Sequence, residues 1–220
     1  MKGTKEIELF GQRLMLLSER AVFWKQAKML IVADPHFGKA QVFRDSGIPI
    51  PGGTTAADIG RISSLMEWLQ PNELLFLGDL MHGRIDGGRN FSTSVDAWRR
   101  RWSGILLTLV TGNHDLKAGP LPAPFRLDRI GAQHVCGPFV FSHNAETTKS
   151  LSRYTIAGHV HPAVFVSGKA HQRDSLPCFC FGEKRALLPA FGSFTGNQVI
   201  RPKPQERVYV VAGDEVVEIM

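Results

Sequence analysis

The 220 residues are enough for one domain whose core needs no disulfide or structural metal to hold it. A composition 43% hydrophobic and 21% charged excludes a disordered or fibrous chain. The net charge of +6 admits two readings, a polyanionic partner such as nucleic acid or plain solubility. The three cysteines, Cys136, Cys178 and Cys180, exclude a disulfide framework and fit a reducing compartment.

Residues 1–10 carry Lys2, Lys5, Glu6 and Glu8 where a signal peptide would be apolar. No run approaches the ~20 apolar residues of a membrane helix. The expectation is a cytoplasmic protein of one domain, residues 1–220, with no membrane partner. Residues 6–9, 13–17 and 21–24 read as short strands, separated by Gly11-Gln12 and Ser18-Glu19-Arg20. Residues 29–33, Met-Leu-Ile-Val-Ala, form a continuous apolar run suited to a strand buried on both faces. Gly47 to Gly53, with Pro49 and Pro51, is a loop. Thr54 or Thr55 then caps a helix to about Leu69, with Ile59, Ile62, Leu65, Met66 and Leu69 at helical spacing and Pro71 beyond its end.

Residues 74–77 and 105–110 give two more buried strands. Between them, residues 93–102 fit a helix striped by Val95, Trp98 and Trp102. Arg99, Arg100 and Arg101 on that helix are either a nucleic-acid patch or, preferably, its charged outer face. Gly119 to Pro124 is a loop. Short strands then recur at 139–141, 154–157, 163–166, 178–181 and 186–188, and a hairpin around Gly213-Asp214 joins 208–212 to 215–219. Cys178 and Cys180 share a strand face and read as core. Alternating strands and helices followed by strands indicate an α/β fold of two stacked sheets with helices outside.

Five short motifs follow strands in order: Asp34-Pro35-His36, Gly78-Asp79, Gly112-Asn113-His114-Asp115, His143 and Gly158-His159-Val160-His161. Sites in α/β folds assemble at strand carboxyl ends. Asp34 and His36, two apart on an extended segment, are expected to point one way, as are His159 and His161. Asp79 is a cap, a turn residue or a ligand whose two oxygens can bridge cations. Asn113 offers a neutral oxygen, and His114 suits proton transfer, with Asp115 expected to orient its ring. Of eight histidines, five fall in these motifs; His134 and His171 read as structural or surface, and His82, three after Asp79, is left open. Together, Asp34, His36, Asp79, Asn113, His143, His159 and His161 supply ligands for two divalent cations. Manganese is the first expectation, with iron, zinc, nickel or cobalt also suited to mixed oxygen and imidazole donors.

On these five blocks the chain resembles the calcineurin-like metallophosphoesterase superfamily. The resemblance implies an α/β/β/α sandwich of two stacked mixed sheets flanked by helices. It also implies a first metal on Asp34, His36, Asp79 and His161, and a second on Asp79, Asn113, His143 and His159. Asp79 would bridge them, and His114 would be the catalytic acid. A narrower likeness rests on residues 33–40, Phe43-Arg44, Gly47-Ile48-Pro49 and Leu188-Pro189-Ala190-Phe191-Gly192-Ser193-Phe194-Thr195-Gly196. There the chain is similar to bacterial ligase-associated DNA-damage-response phosphoesterases and endonucleases (PdeM type), with Pro35 where an aliphatic residue is expected. That likeness implies a DNA-repair setting, with DNA as substrate and a DNA ligase and helicase as neighbours.

The expected chemistry is hydrolysis of a phosphate ester through a metal-activated water, with His114 protonating the leaving oxygen. Arg44 and Lys39 are either phosphate contacts or solvated loop residues. Three functions fit: a phosphodiesterase or nuclease, a phosphatase of small esters such as nucleotides, and a repair component that binds DNA or protein with little turnover.

Overall fold

The computed structural model describes residues 3–50, 52–83, 89–148, 152–167 and 173–220. His171 lies outside them. Its first sheet has the order β1(Thr4–Leu9), β2(Gln12–Leu17), β3(Ala21–Trp24), β4(Met29–Ala33), β5(Glu73–Leu77), β6(Leu106–Val110), β7(Arg129–Gly131). It is antiparallel up to β4 and parallel from β4 to β7. The second sheet is also mixed. It contains β8(Gln133–Cys136), β9(Phe139–Ser142), β10(Tyr154–Ala157), β11(Pro162–Ser167), β12(Arg173–Phe181), β13(Arg185–Leu187), β14(Gln198–Val199), β15(Arg207–Ala212) and β16(Glu215–Glu218). At its centre β9, β10 and β13 run parallel.

The strand period explains the layers. In β4, Met29, Ile31 and Ala33 face the second sheet, where they meet Phe139, Phe141, Ile156 and Phe179. Leu30 and Val32 alternate to the other side and pack under Ile62, Leu65 and Met66 of α2(Thr54–Leu69) and Val95 and Trp98 of α3(Arg89–Arg101). Each such fully buried aliphatic stabilises the fold by roughly 1.5–3 kcal/mol. Cys178 and Cys180 are free and buried on the far face of the second sheet with Val164, Leu187, Val208 and Val210. No helix among the described residues is long and apolar enough to cross a membrane.

One expectation changes here, and two details are added. Helix α2 begins from Gly53, at φ 90, with no side-chain cap. The Thr55 hydroxyl instead accepts from the Gly38 amide at 3.0 Å, fastening the loop after the first motif. Two short helices carried too little apolar periodicity to be read: α1(Lys39–Asp45), where only Ala40 is buried, and α4(Asn113–Ala118). The three arginines of α3 are tied down rather than spread as a patch. Arg99 is buried against Asp128 at 3.0 Å, Arg100 meets Asp96 at 2.8 Å, and Arg101 pairs with Glu67.

Candidate metal centre

Each expected metal ligand, and His114, stands just past the carboxyl end of a parallel strand. Asp34 and His36 follow β4, Asp79 follows β5, Asn113 and His114 follow β6, His143 follows β9, and His159 and His161 follow β10. The backbone there is not extended, as the sequence had suggested. Asp34 (φ 49), His36 (φ 48), Asp79 (φ 45), His159 (φ 68) and His161 (φ 50) all occupy the left-handed region. Such a conformation costs a non-glycine residue on the order of 1–3 kcal/mol and persists only where the surroundings impose it. Hydrogen bonds impose it here. The His36 amide donates to the Asp79 carbonyl at 2.9 Å, and the Phe37 amide to the Leu80 carbonyl at 2.8 Å. The His159 amide donates to Asp34 Oδ2 at 2.9 Å, and the His114 amide to Asp79 Oδ1 at 2.8 Å. Gly78 leaves room for a neighbour: a Cβ on it would lie 1.9 Å from His143 Nδ1.

The side chains gather into three groups, one of them the imidazoles of His36, His82 and His114, and the other two with a carboxylate each. Of these two, Asp34, His36 and His161 form the first, and Asp79, His143 and His159 the second; the donor atoms of each lie within 4.8 Å of one another. His36 Nε2 is 3.4 Å from His161 Nε2, which is 3.7 Å from Asp34 Oδ1. In the second group His143 Nε2 lies 3.0 Å from both Asn113 Oδ1 and His159 Nδ1. Asp79 Oδ2 stands between the first and second groups, 3.7 Å from His36 Nε2 and 3.5 Å from His143 Nε2. Thus His159 and His161, expected to share one face, serve different groups.

Two buried atoms in this cluster have no hydrogen-bond partner, Asp34 Oδ1 and His143 Nδ1. A fully buried carboxylate oxygen left without a donor is costly unless a cation completes it. The donor set, hard oxygens mixed with imidazole nitrogens, suits divalent transition metals. On both counts the residues fit metal ions.

Electrostatics divide the ligands: His36 and His159 are held neutral, whereas His161 and Asp79 must give up a proton to a metal. Burial, reinforced by His161, His82, Lys39 and His114, pushes His36 down to about 2, so its ring is neutral and able to ligate. Burial, then His143, lowers His159 as well. Burial also pulls His161 down, but the Asp34 carboxylate and the Gly196 carbonyl more than offset it, and its pKa rises. Asp79 is raised, chiefly by burial, with Asp34 adding to the effect against the pull of His143.

His114 Nδ1 is 3.0 Å from the His82 carbonyl oxygen, and its ring stacks on that of His82 at 4.6 Å. Asp115 does not orient it. Its two oxygens accept from the Met81 and Gly112 amides, each at 2.9 Å, so this carboxylate caps α4 and ties the loop after β6 to the loop after β5. The sequence left His82 open; its Nδ1 reaches to 3.2 Å from His36 Nδ1, and burial followed by His114 lowers its pKa to about 4. The signal was its position three residues past Asp79. Arg44 turns toward the Ile50 carbonyl, 3.4 Å away, and the Gln41 side chain. Lys39 is the cation whose charge bears on His36, His82 and His161.

No family model and no curated protein matches the chain. Among solved structures, the crystal structure of Pseudomonas putida nuclease MPE is 33% identical, with a TM-score of 0.83, and the match covers 99% of this chain and 100% of that one. The chain belongs to the metallophosphoesterase family. Yfce, a phosphoesterase from E. coli, is 11% identical at TM-score 0.45 over 87% of this metallophosphoesterase and 97% of its own chain. AQ665 of Aquifex aeolicus is 19% identical at TM-score 0.40 over 60% and 78% of the two chains.

Proposed function

We propose that this metallophosphoesterase hydrolyses phosphodiester bonds in nucleic acid with two divalent cations. The observation that carries the reading is the position of Asp79 Oδ2, within 3.7 Å of one imidazole of each ligand group. Asp34, His36 and His161 would hold the first ion, Asn113, His143 and His159 the second, and Asp79 both. When bound, the ions supply Lewis acidity toward phosphoryl oxygens and lower the pKa of a water. His114, with Nδ1 engaged by the His82 carbonyl, presents Nε2 as the proton donor to the leaving oxygen. Asp115 acts at one remove, by holding the loop that carries Asn113 and His114. Lys39, and Arg44 once it leaves Gln41, would contact a substrate phosphate. The likeness to a nuclease over the whole chain supports nucleic acid as the substrate, and the net charge of +6 is consistent with a polyanion. Manganese is the first ion to test, a DNA-repair setting with a ligase and helicase the first context, and the cytoplasm, where free thiols persist, the first location.

The test uses metal-stripped protein reloaded with Mn²⁺ and a panel of aryl diester, aryl monoester and DNA. Metal-dependent cleavage of the diester and DNA is expected. Faster turnover of the monoester would move the assignment to small phosphate esters, and DNA retention without turnover would move it to a binding role. His114→Ala should keep both ions and slow turnover by about 10²–10⁴-fold, most with poor leaving groups. Loss of metal in that variant would sink the division of roles.

A further inference from the structure

The loop Leu188–Gly196 is hydrogen-bonded to the site through its backbone. The Leu188 amide donates to the Ala157 carbonyl and the Phe191 amide to the Ala33 carbonyl, both at 2.8 Å; the Gly192 amide donates to the Asp34 carbonyl at 3.3 Å. The loop therefore ties the strand end that carries Asp34 to the one that carries His161. A Cβ on Gly192 would lie 2.5 Å from the Pro35 carbonyl oxygen, so the contact admits no side chain. At the far end of the loop, His161 Nδ1 is 3.0 Å from the Gly196 carbonyl oxygen. A carbonyl only accepts, so Nδ1 carries a proton, and Nε2 is the nitrogen that faces Asp34 and His36 and is left to ligate.

Helix α2 grips this loop through Asp58 and Arg61. Asp58, 3% exposed, accepts at Oδ2 from the Ser193 amide (3.0 Å) and hydroxyl (3.2 Å), and at Oδ1 from Arg61 (3.0 Å). Arg61 also donates to the carbonyls of Phe191 (3.0 Å) and Glu19 (2.6 Å), and its guanidinium lies 4.0 Å from the centre of the Phe191 ring. Arg20 adds a second donor to the Phe191 carbonyl at 3.1 Å. A buried carboxylate with this full set of donors is rigid. Among the described residues, neither it nor Arg61 hydrogen-bonds or ion-pairs with an expected metal ligand.

We infer that Asp58 and Arg61 are positioning residues for the Asp34–His36–His161 group: they fix the loop whose Gly196 carbonyl sets the tautomer and aim of His161. The inference rests on the two-metal reading above, and it makes a directional claim. Weakening the grip should harm the first ion and spare the second, since Asp79, His143 and His159 receive no bond from this loop among the described residues.

The experiment is a calorimetric Mn²⁺ titration of the metal-stripped full chain, paired with long-range ¹H–¹⁵N spectra of the histidine rings without metal. Asp58→Asn puts an amide donor against the Ser193 amide or deprives Arg61 of its acceptor. Affinity for one ion should fall by about 10–100-fold, the range for groups that orient a ligand from behind. That ion should be the one His161→Ala also removes, the other staying within about twofold, and the His161 signals should shift from the Nδ1–H form toward a tautomer mixture. Ser193→Ala, at an exposed residue that endangers folding less, should move both readouts the same way by a smaller amount. Equal weakening of both ions, or an unchanged His161 tautomer in either variant, overturns the inference. Wild-type protein that takes up fewer than two ions instead overturns the two-metal reading beneath it, so the two failures are distinguishable.

Discussion

At the carboxyl ends of β4 and β5, Asp34 and Asp79 sit in left-handed backbone, and one buried oxygen of Asp34 has no donor. At the opposite end of β5, Glu73 is nearly as buried but lies in regular pairing with Met29 and Leu106. Its carboxylate accepts from the Thr108 hydroxyl at 2.5 Å, with Arg129 at 3.6 Å and His134 Nε2 at 3.7 Å. Both ends bury carboxylates beside imidazoles. One end supplies its acids with a hydroxyl and a cation from the chain itself. The other gives Asp34 and Asp79 one backbone amide each and imidazole nitrogens no nearer than 3.4 Å, leaves Asp34 Oδ1 without a hydrogen bond, and spends backbone strain to do so. A buried acid that the protein completes belongs to the fold; one left incomplete in a strained turn marks where something else must bind.

The largest expected effect tests the incomplete end. Asp34→Asn should cut metal-dependent turnover by more than about 100-fold, beyond the range for indirect metal partners. The same change should leave the metal-free protein as stable as the parent or more so, by up to about 1–3 kcal/mol, because an amide relieves an unsatisfied buried oxygen. Denaturant unfolding in the presence of a chelator checks the second half. A destabilised Asp34→Asn protein would mean that this carboxylate supports the fold, and the contrast between the ends would collapse.

The next effect tests the completed end. Glu73→Ala strands the Thr108 hydroxyl, which is 2% exposed, and removes the carboxylate that faces Arg129 and His134. Unfolding free energy should fall by about 1–3 kcal/mol, the penalty for leaving buried polar groups unpaired. Metal content and turnover of the folded fraction should not change. A loss of metal from Glu73→Ala would show that the two ends are coupled along β5.

The sequence made the layered part of this fold legible because burial on two faces leaves a plain mark. Met29–Ala33 has the bounds that its apolar pattern implies, and α2 ends at Leu69 as its pattern implies. The strands Arg129–Gly131 and Gln133–Cys136 were missed because they lie at sheet edges, with Ile130 and Val135 exposed and no apolar alternation to betray them. In the site, residue types and order were legible, but the mode of convergence was not. Left-handed φ at Asp34, His36, Asp79, His159 and His161 is imposed by amides of distant loops, and no local propensity announces it. The partners of Asp115 were misjudged for a related reason: neighbours in sequence suggested His114, whereas backbone amides at Met81 and Gly112 are what the helix start brings near. The contacts of His82 with His36 and His114, and the Gly196 carbonyl, entered only through the fold.

The smallest effect concerns pH at the completed end. His134 stacks on Phe141 with ring centres 6.1 Å apart. Burial lowers its pKa from the ordinary value near 6.5; the Glu73 carboxylate opposes the shift and Arg129 adds to it. In the unfolded chain the same ring titrates near about 6.5. Below that pH the unfolded chain takes up a proton that the folded chain resists, so this contribution to stability is present above about pH 6.5 and is lost as pH falls. His36 and His82, pushed down to about 2 and about 4, act with the same sign. Asp79 and Asp115, raised chiefly by burial, act with the opposite sign, their contribution fading as pH rises. His134→Gln removes one member of the first set and leaves the rest. The metal-free variant should therefore lose stability less steeply than the parent between pH 7.5 and 5.5, by unfolding midpoints in denaturant. A steeper decline in the variant would mean that His134 gains its proton in the folded protein and pairs with Glu73, so that the far end is held by an ion pair and not by the Thr108 hydroxyl and a neutral ring.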